Sequence, residues 1–148
     1  MARKNKIAQK LFEKHIKGTA EKAIVENVTV FLCRLTFVVS KDNQINPNVY
    51  LNSRVLKHVY DKKPAEEFNC LVQYLHIIIR YPDNIYKNKN PKRGDYVFTK
   101  VINGNNYFCS LETFEDGANV VTMFRLRKGN YLKSYDLLWS WRGDIPSS

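Results

Sequence analysis

Little of this chain is acidic. Of its 148 residues, 14 are Asp or Glu against 24 Lys or Arg, a formal charge of +10 with a pI near 9.6. A field of that sign attracts phosphates and acidic surfaces and speeds encounter with them. The partner classes it leaves are nucleic acid, an acidic protein or a membrane surface, with RNA placed before DNA. The bland alternative is a basic surface without a specific partner. Cysteine is also scarce. Cys33, Cys70 and Cys109 are odd in number, widely spaced and set among apolar neighbours. That excludes a disulfide framework, and no CxxC pair or His/Cys cluster offers a zinc site. Buried free thiols are expected, with no metal and no cofactor. Long apolar runs are missing too. The longest, from Val28 to Val39, is interrupted by Arg34 and is too short to span a bilayer. The N-terminus is charged and lacks a signal-peptide core, so the expected location is cytoplasmic. Helix-turn-helix, zinc-finger and basic-zipper spacings are absent, which weighs against DNA recognition. There are no repeats and no low-complexity tracts.

What is present suits one packed domain: 44% hydrophobic and 13% aromatic residues. Residues 2–22 read as an amphipathic helix, with Ile7 and Leu11 on the apolar side and lysines on the rest. VTVFLCRLTFVV, residues 28–39, alternates as a strand does, and KDNQINPN then supplies turn residues. The expected organisation is a basic helix and strand over 1–40, leading into a module over 41–148. Within the module, Asn52 or Ser53 caps a short helix in which Arg54, His58 and Asp61 share a stripe. Pro64 opens a second helix that runs through Arg80, with Phe68, Leu71, Val72, Leu75 and Ile79 inward. From Tyr96 the period changes to two. DYVFTKVI, YFCSLETF and ANVVTMFRLR read as strands joined at Asn-Gly and Asp-Gly turns. The predicted fold is α+β, with helices packed on one face of an antiparallel β-meander. The tail 131–142 fits a helix or an edge strand.

Strict alternation assigns the meander's faces. It sends Val97, Thr99, Val101, Tyr107, Cys109, Leu111, Val120, Thr122, Phe124 and Leu126 inward. Tyr96, Phe98, Lys100, Phe108, Glu112, Val121, Met123, Arg125 and Arg127 then face outward. Cations, one carboxylate and aromatic rings on one face suit RNA cleavage. An ordinary solvated face with cross-strand ion pairs is the plain alternative, and a one-residue slip would exchange the faces. Of the other histidines, His15 and His76 read as structural.

VYLNSRVLKHVYD, RYPDNIY, DYVFTKVINGNNYFCSLETF and ANVVTMFRLRKGNYLK occur in this order over residues 49 to 133. In order and spacing they resemble the phage-associated branch of the barnase/EndoU/colicin/RelE-like ribonuclease superfamily. The resemblance implies metal-independent RNA cleavage, in which a 2′-hydroxyl attacks the adjacent phosphate and leaves a 2′,3′-cyclic phosphate. It also implies a toxin or phage effector with an acidic inhibitor protein. His58 matches the family's helical histidine and Thr122 its strand threonine. Because alternation sends Thr122 inward, either the third strand is bulged or Thr122 is structural. Lys62, Lys63 and Pro64 stand where members often carry a second histidine, which shifts the partner role to Glu112 or Lys100. The resulting expectation makes His58 the acid for the leaving 5′-oxygen and Glu112 the base. Lys100 and Arg125 stabilise the phosphate, while Arg54, Tyr96, Phe108, Arg127 and Lys128 contact RNA. The alternative is a non-catalytic module that grips RNA or an acidic protein with the same fold.

Overall fold

A computed structural model describes residues 6–43, 45–88, 94–127 and 131–141. Helix α1 (Ile7–His15) leads to strand β1 (Thr29–Arg34), helix α2 (Phe37–Asn43), strand β2 (Asn48–Asn52), helix α3 (Ser53–Lys62) and helix α4 (Ala65–Arg80). Strands β3 (Asn84–Asn88), β4 (Tyr96–Ile102), β5 (Asn105–Phe114) and β6 (Gly117–Arg125) follow, then a 3₁₀ turn (Tyr131–Ser134) and strand β7 (Tyr135–Ser140). The seven strands form one sheet in the order β1-β2-β6-β5-β4-β3-β7. β4, β5 and β6 are the antiparallel meander. The single parallel pairing, β2 with β6, joins Val49 to Ala118 and Tyr50 to Asn119.

One helix is shorter than amphipathicity suggests, and one forms where alternation suggests strand. Among the described residues the basic helix covers Ile7–His15 and stops short of residue 22; residues 2–5 lie outside the described residues. The strand expected over 28–39 stops at Arg34, and Phe37 onward coils into α2. β1 pairs with β2, so one sheet crosses the boundary expected near residue 40. The tail resolves into the 3₁₀ turn and edge strand β7.

Local chemistry explains the helix ends. Asn52 caps α3, its side chain accepting the Arg54 N–H at 2.8 Å. Pro64 stands at the mouth of α4, Glu66 and Glu67 fill its first turn and Arg80 its last. That charge order complements the helix dipole. The apolar stripe Phe68, Leu71, Val72, Leu75 and Ile79 is buried as its spacing demands. α3 and α4 pack on one face of the sheet, and α1 lies against both. Phe12 of α1 meets Tyr60 at 5.5 Å and Phe68 at 5.1 Å between ring centres.

The sheet's faces differ from strict alternation, and the register gives the reason. Phe98 lies opposite Cys109 and Ile85, and all three belong to the core beneath the helices. Tyr96, Phe98, Lys100 and Ile102 therefore point to the helical side, while Val101 is 55% exposed. Thus Val101 is not core, and Phe98 is not outward. In β6 a bulge intervenes: Ser110 faces Thr122, but Leu111 faces Val120, leaving Val121 unpaired. Val120 and Met123 are consequently both core residues, and Thr122 and Phe124 turn to the opposite face with Ser110 and Phe108. Alternation fails for Met123, Thr122 and Phe124 because a strand with one extra residue changes parity midway.

The two hairpin turns have different physical origins. At the β4–β5 turn, Asn103 and Gly104 both adopt positive φ, 51° and 80°, as a tight primed turn requires. At the β5–β6 turn, Gly117 is needed for clearance. A Cβ there would lie 2.5 Å from the Asn48 carbonyl oxygen and 2.9 Å from the Tyr50 ring.

Candidate nucleic-acid interface

α3 presents two adjacent stripes of opposite use. Ser53, Lys57 and Asp61 follow one another at four-residue steps, so they stack on one side of the helix. This stripe grips the segment before β1. The Ser53 hydroxyl donates to the Glu26 carbonyl at 2.5 Å and accepts the Val28 N–H at 2.9 Å. The Lys57 ammonium donates to the Ala20 carbonyl at 2.7 Å and to Asp61 Oδ1 at 2.6 Å. Asp61 Oδ2 accepts the Lys22 N–H at 3.1 Å, and Lys22 holds a left-handed φ of 65°. Ser53 and Lys57 are buried, because each polar atom has found a partner inside the joint.

Arg54, His58 and Lys62 form the next stripe, again at four-residue steps, and all three are exposed. With the pinned segment as the facing wall they line a groove of about 470 Å³, together with Lys22, Ile24 and Val25. Ile24 is 92% exposed on its rim. Asp61 also reaches the groove, but the Lys57 hydrogen bond holds its carboxyl below the usual carboxylate range. Arg54, His58 and Asp61 line the same groove, as their spacing suggests, and Asp61 is in addition held by Lys57 through Oδ1 and by the Lys22 N–H through Oδ2.

The other expected catalytic groups stand elsewhere. Lys100 donates to the Tyr81 carbonyl at 2.7 Å and pairs with Asp83 at 3.4 Å. Glu112 is exposed opposite Asn119, on the face away from the helices. Lys100 lies opposite Tyr107, five positions up β5 from Glu112, a separation of roughly 17 Å along the strand. Arg125 lies on the other side of Tyr107, and its backbone N–H donates to Glu67 at 3.2 Å. Arg127 pairs with the same Glu67 carboxylate, which is 3% exposed. Thr122 sits beside Ser110 on the face away from the helices. The structure thus brings Lys100 and Arg125 to either side of Tyr107, and neither Glu112 nor His58 joins them.

The expected RNA-contact residues divide in the same way. Arg54 lines the groove with His58. Tyr96 is half-buried under the Lys87 ammonium, 4.4 Å from its ring centre. Phe108 is 2% exposed, stacked on Phe124 at 4.4 Å and closed off by the edges of Tyr131 and Tyr135, so no base reaches its face. Lys128 lies outside the described residues. Glu67, Lys22, Lys57 and Lys62 carry contacts that alternation does not indicate. The four-residue repeat 54, 58, 62 is the sequence signal that marks Lys62.

Cys33 and Cys109 are buried free thiols as expected, whereas Cys70 is only partly buried. Burial raises Cys33 to about 12, against a smaller opposing pull from Arg80, and burial likewise raises Cys109. Among the described residues no group of three His, Cys, Asp or Glu side chains converges, and no helix is long and apolar enough to cross a membrane. Comparison with family models, curated proteins and solved structures finds no match to this chain.

Proposed function

We propose that this chain binds RNA through the α3 groove, with Arg54, Lys62 and Lys22 meeting backbone phosphates. The observation that carries this reading is the exposed stripe Arg54–His58–Lys62 lining a groove whose one carboxylate, Asp61 of the same helix, is paired with Lys57. Cations without an opposing carboxylate release counterions when they meet phosphates, which is the dominant electrostatic gain in nucleic-acid binding. The resemblance to the barnase/EndoU/colicin/RelE-like ribonucleases supports RNA as the source of those phosphates. An acidic inhibitor protein would compete for the same groove.

A second reading, metal-independent cleavage to a 2′,3′-cyclic phosphate, is favoured by one feature. His58 is exposed between two cations, and an imidazole is a side chain able to move a proton. It would donate a proton to the leaving 5′-oxygen. Binding takes precedence because Asp61, the groove's one carboxylate, is ion-paired to Lys57, and Glu112, the expected base, lies on the sheet's other face.

Purified protein incubated with total RNA in EDTA tests both readings. Retarded but intact RNA supports the binding module. Cleavage that falls roughly a hundredfold in His58→Ala, with binding retained, establishes the catalytic reading. RNA neither retarded nor cut at low salt removes both.

A further inference from the structure

A second cavity, of about 380 Å³, lies between α2, the C-terminal end of α4 and the ends of β4 and β7. It shares no lining residue with the α3 groove. Trp139 lies opposite Ile85, a core residue, so its ring is on the helical side of the sheet, partly buried against the core. The ladder continues one step past β7. The Trp141 N–H donates to the Asp83 carbonyl at 3.1 Å, and alternation returns Trp141 to the side of Trp139. Val39 is buried beside them, while Val38, Tyr81 and Trp141 line the same cavity at 54%, 46% and 58% exposure. Three large exposed hydrophobic side chains thus converge on one concave site, which is how a ligand pocket differs from scattered apolar surface.

The charges around this cavity are unevenly matched. Asp83, the one carboxylate among its lining residues, is committed: Oδ1 meets the Lys100 ammonium at 3.4 Å and Oδ2 accepts the Val101 N–H at 2.8 Å. Lys100 also donates to the Tyr81 carbonyl at 2.7 Å, at the C-cap of α4. It thereby answers part of the negative charge that a helix carries at that end and that would repel an anion. Arg80, in the last turn of α4, is different. Its guanidinium lies 5.6 Å from the centre of the Tyr81 ring, and its Nε is buried with no hydrogen-bond partner among the described residues. A guanidinium is always charged and only donates, so a buried N–H left without an acceptor costs free energy.

We propose that this cavity binds a small planar aromatic anion, its ring against Trp139 and Trp141 and its carboxylate side-on to Arg80. A carboxylate in that orientation takes Nε–H and one Nη–H together, a charge-assisted pair stronger than a bond to a neutral acceptor. The indoles supply the apolar area, and a volume at the small end of ligand pockets suits a compound of one or two rings. The site is independent of the RNA reading and stands or falls without it.

Naphthoate, naphthamide and acetate separate ring from charge and serve as probes. The chain has two tryptophans, and both line this cavity, so the two indole N–H resonances of nitrogen-labelled protein report on it directly. Naphthoate should move both resonances and saturate. Naphthamide should bind about tenfold or more weakly, as the loss of a hydrogen bond between charged groups implies. Acetate should move neither at the same concentration. Arg80→Met should bring naphthoate down to the affinity of naphthamide and leave naphthamide unchanged. The dispersion of its amide spectrum shows that the variant folds, and the comparison of probes on the wild type needs no variant. Equal affinity of the wild type for naphthoate and naphthamide overturns the anion site, as does a naphthoate preference that survives in Arg80→Met. Acetate that matches naphthoate removes the role of the rings. Indole resonances that ignore naphthoate overturn the pocket, and if they move with protein concentration instead, the face belongs to a second copy.

Discussion

The molecule holds its cations in two settings. On α3, Arg54 and Lys62 face a groove whose one carboxylate is committed to Lys57. On the meander and its flanks, Lys100 closes on Asp83 and Arg127 on Glu67. Both regions look equally basic as sequence. They differ in whether an internal carboxylate has already matched the charge, because a paired cation offers a phosphate little that it does not first have to give up. Net charge says that an anion is attracted; pairing says where it can settle.

The largest expected effect comes from reversing the unmatched cations. Arg54→Glu with Lys62→Glu should weaken RNA binding about tenfold or more at low salt, and the slope of log K against log salt should flatten by about one per lost contact. Lys100→Met should leave that slope as it is. A titration in which Lys100→Met flattens the slope as much as the α3 pair does would erase the distinction between the regions. Ser53→Ala comes next. It leaves the Val28 N–H and the Glu26 carbonyl without their buried partner, a loss of about 1–3 kcal/mol in urea unfolding. RNA affinity should fall with it, since the groove's facing wall hangs on that hydroxyl. Lys100→Met itself should cost only about 0–1 kcal/mol, because the pair is about a quarter exposed on each side. The smallest effect is in acid. Asp61 is held below its ordinary value of 3.8, chiefly by the Lys57 hydrogen bond. Its contribution to stability is thus complete above about pH 5 and disappears as pH falls through the folded-state value. Comparing acid unfolding of wild type and Asp61→Asn measures it: the two curves should converge below that range and separate above it.

How far the sequence could be read follows the same physics. α4 was legible because its apolar stripe, its opening proline and its end charges all agree. The meander was legible from its period and its Asn-Gly and Asp-Gly turns. The sheet's faces were not: the bulge at Val121 has no local marker and reverses parity beyond it in β6, and in β4 apolar residues of both parities, Val97 and Phe98, are buried. The shift from strand to helix at Phe37 is equally silent, because apolar β-branched runs fit either state. His58 was placed on an exposed helical stripe by spacing alone. Its neighbours Arg54 and Asp61 do line the same groove; three- and four-residue steps both bring residues together, so the hydrogen bond of Lys57 to Asp61 has no separate sequence signal.

The two-residue parallel joint between β2 and β6 also bears on how the chain reaches this state. Val49 and Ala118 are about 70 positions apart, whereas the β4–β5 and β5–β6 hairpins close over a few residues. Loop-closure entropy favours the hairpins first and the joint last. The transition state would then contain the meander, with the β1–β2 unit still undocked. Gly117→Ala, which crowds Asn48 and Tyr50 at the joint, should accelerate unfolding and leave the refolding rate nearly unchanged. A chevron in which its refolding arm slows instead would place the joint in the folding nucleus, and the sheet would have to assemble from its middle outward.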